Sequence, residues 1–248
     1  MERIYFNNAG DKLKLTSINQ WGTIEWTSFS AAFDNCANMQ GTYVDIPNFN
    51  NCTTMATAFR GCTSFNHTMA GWNMSNITSF QNCFFGCSIF NQDVSSWDMS
   101  SVMLTTSMFL NNTAFNNGGA PLSWTTSSAL TMMANTVYNC PNFNQPVTLS
   151  DTSAVTNMSS MFYNNTSLDQ DFSGLDISAL TNGTNMFQNT TMSTANYDAL
   201  LIAWEAQVEK TGVTFHGGNA TYSAGAATTA RGVLTGTSTW SITDGGAA

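Results

Sequence analysis

Six aspartates, Asp93, Asp98, Asp151, Asp169, Asp171 and Asp176, are the first candidates for chemistry in this chain. Two carboxylates facing each other across a sugar ring can cleave a glycosidic bond as acid and base, or as acid and nucleophile. Their phase argues against that role. Asp93 and Asp171 occupy one position of an internal repeat, and Asp98, Asp151 and Asp176 occupy another. A catalytic pair should be unique to one site, whereas these recur as turn-forming and capping residues do. His216-Gly217-Gly218 has the look of an oxyanion-hole loop, but that needs a Gly-x-Ser-x-Gly nucleophile elbow, and the chain has none. The glycines read instead as a tight turn between a strand and a helix. No enzyme is expected, and no cofactor; the ion with a candidate ligand set is Ca²⁺, at the hard oxygens of Asp169-Gln170-Asp171.

Cysteine gives a similar answer. Cys36, Cys62, Cys87 and Cys140 share one repeat position, so stacked copies place their sulfurs at roughly the 5 Å spacing of adjacent strands. Reduced, they serve as small buried hydrophobes; disulfides between stacked copies are the alternative in an oxidising compartment. No Cys-x-x-Cys pair or neighbouring histidine supports zinc, and Cys83 with Cys87 lacks two further ligands.

Those phases come from a repeat that runs through most of the chain. Its landmark is Phe33-Asp34-Asn35-Cys36, then Phe59-Arg60-Gly61-Cys62, Phe84-Phe85-Gly86-Cys87, Phe109-Leu110-Asn111-Asn112, Val137-Tyr138-Asn139-Cys140, Phe162-Tyr163-Asn164-Asn165 and Phe187-Gln188-Asn189-Thr190. The spacings are 26, 25, 25, 28, 25 and 25 residues. With the Phe as position zero, position two holds only Asn or Gly, the residues that most readily take positive φ. Position six is an apolar column: Met39, Phe65, Phe90, Phe115, Phe143 and Leu168. Position seven, Asn66, Asn91, Asn116, Asn144 and Asp169, can stack as a hydrogen-bonded ladder. About thirteen on stand Ile46, Trp72, Trp97 and Leu175, with Trp124 and Leu149 shifted by insertions.

Before each landmark the period changes. Val155, Met158, Met161, Phe162 and Asn165 follow a helical face, and Phe90, Gln92 and Val94 alternate as in a short strand. Each repeat therefore reads as a short helix, a stop, a short parallel strand and a turn. The expected fold is α/β, a leucine-rich-repeat-like solenoid of about seven 25-residue repeats, since no single copy can bury its own Phe, Met and Trp. Val155-Thr156-Asn157-Met158-Ser159-Ser160-Met161-Phe162-Tyr163-Asn164-Asn165-Thr166-Ser167 and Phe90-Asn91-Gln92-Asp93-Val94-Ser95-Ser96-Trp97-Asp98-Met99-Ser100 resemble the BspA-like leucine-rich-repeat family of surface proteins. The resemblance covers roughly residues 20 to 192. It implies a solenoid of the adhesion type, on cell surfaces or in viral proteins, and it carries over no catalytic residue. The chain departs from it where tryptophans are lost after Trp97 and where Asn112, Asn165 and Thr190 break the Cys column.

Two ends flank the repeats, giving an N-terminal cap over 1–32, the repeats over 33–192 and an α+β capping module over 193–248. Ile4, Tyr5, Phe6, Leu13, Leu15, Ile18, Trp21, Ile24 and Trp26 lie in the first without the repeat signature, and residues 7–11 read as a turn. In the last, Tyr197, Leu200, Leu201, Trp204 and Val208 share a helical face, with Ser193 or Thr194 as N-cap and Gly212 just past the end. Val213–Phe215 suggests a strand, Ala224–Leu234 a second helix and Trp240–Ile242 a closing strand.

Composition narrows the partners. The 248 residues carry six Lys and Arg against fifteen Asp and Glu, a net charge of -9, with 8% charged overall against the ~25% of an average protein. That balance disfavours a nucleic-acid partner and an anionic membrane surface, and neither is expected. The longest apolar run, Ala199–Trp204, is far below the ~20 residues that span a bilayer, so no membrane insertion is expected. Residues 1–8 lack the apolar core of a secretory signal, which points to a virion component released by lysis or to a cell-surface protein exported by other means. A weakly charged, Asn- and Thr-rich surface with aromatics suits a glycan or protein receptor. The expectation is a non-enzymatic adhesion or receptor-binding module on a virion or cell surface, which also contacts other surface proteins or copies of itself. A purely architectural role is the alternative. Candidate binding residues are Gln92, Asp93, Gln170 and Asp171, with His216 and Asn219 in the C-terminal loop.

Overall fold

Two residues of every repeat have a left-handed backbone. The computed structural model, which describes residues 2–207 and 210–248, gives φ of 54° to 72° to Asn35, Gly61, Gly86, Asn111, Asn139, Asn164 and Asn189. The Gly/Asn column at position two thus behaves as its chemistry requires. A second left-handed column, not read from the sequence, lies four residues earlier at Ala31, Thr57, Asn82, Ser107, Asn135, Ser160 and Asn185, with φ of 52° to 57°. A helix cannot contain left-handed residues at that interval. The expected short helix is therefore replaced by tandem reverse turns.

The hydrogen bonds give the reason. In the second copy the N–H groups of Ala58, Arg60 and Cys62 bond the carbonyls three residues back, at Met55, Thr57 and Phe59. The alternate N–H groups, Met55, Thr57, Phe59 and Gly61, point along the stack to Ser79, Gln81, Cys83 and Phe85 of the next copy. Half the donors are spent between copies, so the four-residue-back bonds of an α-helix are not formed. Tandem turns also bring residues three apart to one side, which is why the spacing read as helical.

The expected strand after the stop forms in some copies and is missing from others. Parallel bridging lies five residues before the landmark Phe, running Thr54, Ser79, Leu104, Met132, Asn157, Asn182, one residue per copy. Longer pairings occur where copies are irregular. Strand β1 (Ser17–Ile18) pairs with β2 (Gln40–Gly41), and β3 (Leu122–Trp124) with β4 (Val147–Leu149), both parallel. Around Phe90–Val94 no strand forms, because side-chain amides occupy the backbone donors there, as described below.

At the C-terminal end the ladder thickens into a three-stranded parallel sheet of β5 (Asn182–Gly183), β6 (Thr214–His216) and β7 (Ser241–Thr243). Helices α1 (Thr194–Glu205) and α2 (Ala226–Gly236) connect these strands and pack together. Among the described residues these are the α-helices, so the expected α and β elements after residue 193 are present with small shifts of boundary. Tyr197, Leu200, Leu201 and Trp204 are buried on α1; Val208 lies outside the described residues. The sheets are open and no barrel closes: the fold is a mixed α/β arrangement of short strands, turns and two small helices.

The core runs down the repeats as columns of rings. Phe33, Phe59, Phe84 and Phe109 succeed one another at centroid distances of 5.6, 5.3 and 5.6 Å, and Phe65, Phe90, Phe115 and Phe143 at 6.1, 6.3 and 5.7 Å. Trp72, Trp97, Trp124, Leu149 and Leu175 are buried as expected, but Ile46 is 55% exposed. Tyr43 takes its place, with its ring 5.9 Å from that of Trp72. In the N-terminal segment Ile18, Trp21 and Trp26 are buried, while Tyr5, Leu13 and Ile24 are exposed.

Candidate functional site

Position seven builds the most regular polar feature of the surface. The Oδ1 of Asn66 accepts the backbone N–H of Asn91 at 2.9 Å, Asn91 that of Asn116 at 2.7 Å, and Asn116 that of Asn144 at 3.0 Å. Asn144 continues to Asp169 at 2.9 Å, and Asp169 to Ser193 at 2.7 Å. A side-chain oxygen thus supplies what a neighbouring strand's carbonyl would, and the predicted ladder runs side chain to backbone. Burial pushes the Asp169 carboxyl up, but hydrogen bonds from Ser193 and Asn196 outweigh it and hold the group below its usual range.

The candidate residues Gln92 and Gln170 sit beside this ladder. Gln92 Nε2 donates to Asn66 Oδ1 at 2.8 Å, and Gln170 Nε2 to Asn144 Oδ1 at 2.9 Å. Gln145, which was not singled out from sequence, does the same to Asn116 at 3.2 Å. The Oε1 atoms of Gln92 and Gln170 accept nothing from the protein, so each amide is held by one end and offers the other. The Gln at position eight was legible as a column but was read as two isolated residues.

Asp93 and Asp171 are exposed, and each closes a local turn by accepting the N–H two residues on, from Ser95 and Ser173, both at 2.8 Å. Asp98, Asp151 and Asp176 do likewise with Ser100, Ser153 and Ser178. Hydrogen bonds from Ser100 and Ser153 lower the carboxyls of Asp98 and Asp151. A group held ionised and engaged with its own backbone is poorly suited to proton transfer at neutral pH. Among the described residues no cluster of three or more His, Cys, Asp or Glu could hold a metal ion.

His216 and Asn219 belong to a separate region, the end of β6 and its following turn. His216 Nδ1 accepts the Gly218 N–H at 3.1 Å, while burial lowers its pKa against the opposing field of Asp244. Asn219 is exposed at the turn. Among the described residues no hydrogen bond or ring contact links this pair to Gln92 or Gln170.

A third surface was missed. The column one past the landmark Phe faces outward and carries Arg60, Phe85, Leu110, Tyr138 and Tyr163, all half-buried. Tyr138 and Tyr163 stack at 4.6 Å with 8° between their planes, and neither hydroxyl has a protein partner. Beside them Asn139 Nδ2 donates to Asn111 Oδ1 at 2.8 Å and Asn164 Nδ2 to Asn139 Oδ1 at 2.6 Å. The signal available in the sequence was the run of apolar residues at a position adjacent to an inward one.

The cysteines are free and buried. Cys62, Cys87 and Cys140 donate from Sγ to the carbonyls of Phe33, Phe59 and Phe109 in the preceding copy, at 3.1, 2.8 and 3.1 Å. Burial pushes the Cys87 thiol up to about 12 and that of Cys36 to about 11, so neither is a nucleophile near neutrality.

Comparison with known proteins gives one family. The family described as "Mycoplasma protein of unknown function, DUF285" matches residues 1–120 and, a second time, residues 120–223. No curated protein and no solved structure matches the chain. DUF285 is a BspA-like repeat family, so the resemblance read in the sequence is borne out at the level of the family. No helix among the described residues is long and apolar enough to cross a membrane.

Proposed function

The chain belongs to the DUF285 family, and on that premise we propose that it is a non-enzymatic adhesion or receptor-binding module. In this reading the stacked copies form a leucine-rich-repeat-like solenoid displayed on a cell or virion surface, and its partner is a surface glycan or protein. The observation that carries the reading is the amide edge. Gln92 and Gln170 are fixed by the Asn ladder with a carbonyl oxygen left free, at the same position of different copies. Pre-oriented, uncharged acceptors have their geometry set before binding, which reduces the entropy lost on association. Ring columns advancing by 5.3 to 5.6 Å per copy hold them rigid. Such a surface suits repeated hydroxyls or an extended peptide backbone.

The test incubates the purified protein with intact candidate host cells and with their isolated surface glycans, reading retention and released sugar together. Retention without release is expected, and it should fall when Gln92 and Gln170 are both changed to Ala. Released oligosaccharide would replace this reading with an enzymatic one.

A second reading, an architectural component that contacts a neighbouring protein, is favoured by one observation. At the N-terminal end the exposed Ile24 and half-buried Ile4 join the buried Trp21 and Trp26 in lining an apolar groove of about 560 Å³. In the C-terminal segment, by contrast, Tyr222 and Ile242 pack against the core. Absence of both retention and release would make this second reading the leading one.

A further inference from the structure

Where the outward column passes the second and third copies, the surface opens into a cavity of about 360 Å³ lined by Asn8, Asn35, Arg60, Gly61, Phe85 and Gly86. Its size is at the lower end for small-molecule sites, room for one ring. Resting on the adhesion reading above, we propose that this cavity is a binding site for a single neutral pyranose ring, the terminal sugar of a surface glycan.

Its polar wall is pre-organised. Arg60 Nε donates to Asp34 Oδ1 at 2.8 Å and Nη2 to Asp34 Oδ2 at 2.5 Å. The Asp34 side chain is 2% exposed and that of Arg60 37%, so a buried carboxylate holds a planar guanidinium whose outer N–H groups face solvent. Asn35 Nδ2 donates to the same carboxylate at 2.8 Å, leaving Asn35 Oδ1 without a hydrogen bond. Each sugar hydroxyl both donates and accepts, and these free groups supply both roles on one wall. The guanidinium charge is matched by the buried Asp34 carboxylate, so the wall offers donors and acceptors without a net charge, as a neutral ring requires. Beside it the half-buried ring of Phe85, next in the same column, offers an apolar surface for the C–H groups of a sugar.

The cavity exists because of a sequence choice at position two. Five copies carry Asn there, whereas the second and third carry Gly61 and Gly86. A Cβ on Gly61 would collide with Asn35 Oδ1 at 2.4 Å, but one on Gly86 would meet nothing within 4 Å. Gly86 thus leaves open the space that Asn111, Asn139 and Asn164 fill in later copies. It has φ of 72°, in the same left-handed region where Asn sits at 54° to 64° at the equivalent positions, so Gly86→Asn should plug the cavity without disturbing the fold.

The experiment measures saturation-transfer NMR from the protein to lactose, maltose, cellobiose and chitobiose, with sialyllactose as the acidic arm. Retention on host cells is measured in parallel for wild type, Gly86→Asn and Phe85→Ala. The expected result is transfer to one or more neutral disaccharides, with both variants binding at least about tenfold more weakly and Gly86→Asn keeping the wild-type unfolding midpoint. Transfer that survives Gly86→Asn, transfer to sialyllactose alone, or no transfer to any sugar would overturn the proposal. Wild type and Gly86→Asn retained equally on cells would sink the site and leave the adhesion reading standing. Sugar binding at the cavity without retention on any cell would do the reverse.

Discussion

Asn112 is the residue at which this protein's regularity visibly fails. It occupies the Cys position of its repeat, is fully buried, and neither its Oδ1 nor its Nδ2 has a partner. Asn165 in the same column is better placed, since its Oδ1 accepts the Cys140 N–H at 2.8 Å. An unmet buried amide costs about 1–3 kcal/mol. Asn112→Cys places a thiol where it can donate to the Phe84 carbonyl, as Cys62, Cys87 and Cys140 do to theirs, and should stabilise by about 1 kcal/mol or more. Urea unfolding checks this; an unchanged or lower midpoint would contradict it. The existing thiols set the alkaline limit. With folded values raised to about 11 for Cys36 and about 12 for Cys87 against an ordinary 9.0, their contribution is intact below pH 9. It is lost as the pH climbs from there through the folded values, by up to ~1.4 kcal/mol per thiol per pH unit. Asp98 and Asp151, held low by Ser100 and Ser153, act at the other limit, and their contribution disappears as the pH falls through their depressed folded values. The unfolding midpoint should therefore fall on both sides of a neutral plateau, and a flat profile from pH 9 to 11 would contradict the burial of the thiols.

The element that makes the repeat is the tandem turn, and its two left-handed positions divide by cause. At position two, residue chemistry permits the conformation: Asn139, with φ of 54°, should tolerate Gly at little cost, while Ala should destabilise by about 1–2 kcal/mol. The contrast between these two variants in thermal unfolding tests whether the backbone rather than the side-chain ladder sets the cost. At Thr57, with φ of 55°, no intrinsic preference helps; its N–H bonds Gln81 and its neighbours are locked into the next copy, and the stack imposes the angle. The first column was therefore readable from a run of Asn and Gly, and the second was not, because Ala31, Thr57, Ser107 and Ser160 carry no such signature. The amide ladder was legible as a column, whereas the Gln Nε2 bonds beside it depend on which face each side chain reaches.

At the scale of the whole molecule, each copy bonds only its neighbours, so stability is a sum of similar interfaces and the ends are its weak points. The C-terminal end is fastened by a buried charge. Asp244 accepts from Arg231 Nε at 2.7 Å, from the Tyr197 hydroxyl at 2.8 Å and from the Gly246 N–H at 3.1 Å, joining α1, α2 and the segment after β7. Asp244→Ala strands Arg231 without its counter-charge and should cost about 3–5 kcal/mol. Hydrogen exchange should then accelerate first at β7 and β6 and leave the central copies protected. Uniform acceleration along the chain would mean that the molecule unfolds as one unit.

By itself the sequence determined the period, the inward columns, the left-handed stops at Asn and Gly and the secondary structure after residue 193, because each is written in residue type at fixed spacing. The tertiary structure alone decided that the helix-like segment is a run of turns and that the bridge recurring in successive copies lies before the Phe. It also decided that the Gln residues are anchored amides and that Gly86 opens a cavity. For the turns and the bridges the physical reason is where backbone donors go; for the Gln amides and Gly86 it is what each side chain, or its absence, meets in the neighbouring copy. In the turn segment about half of the backbone donors leave their own copy for the next one, about 25 residues along the chain. No local pattern records a bond whose partner is supplied by stacking.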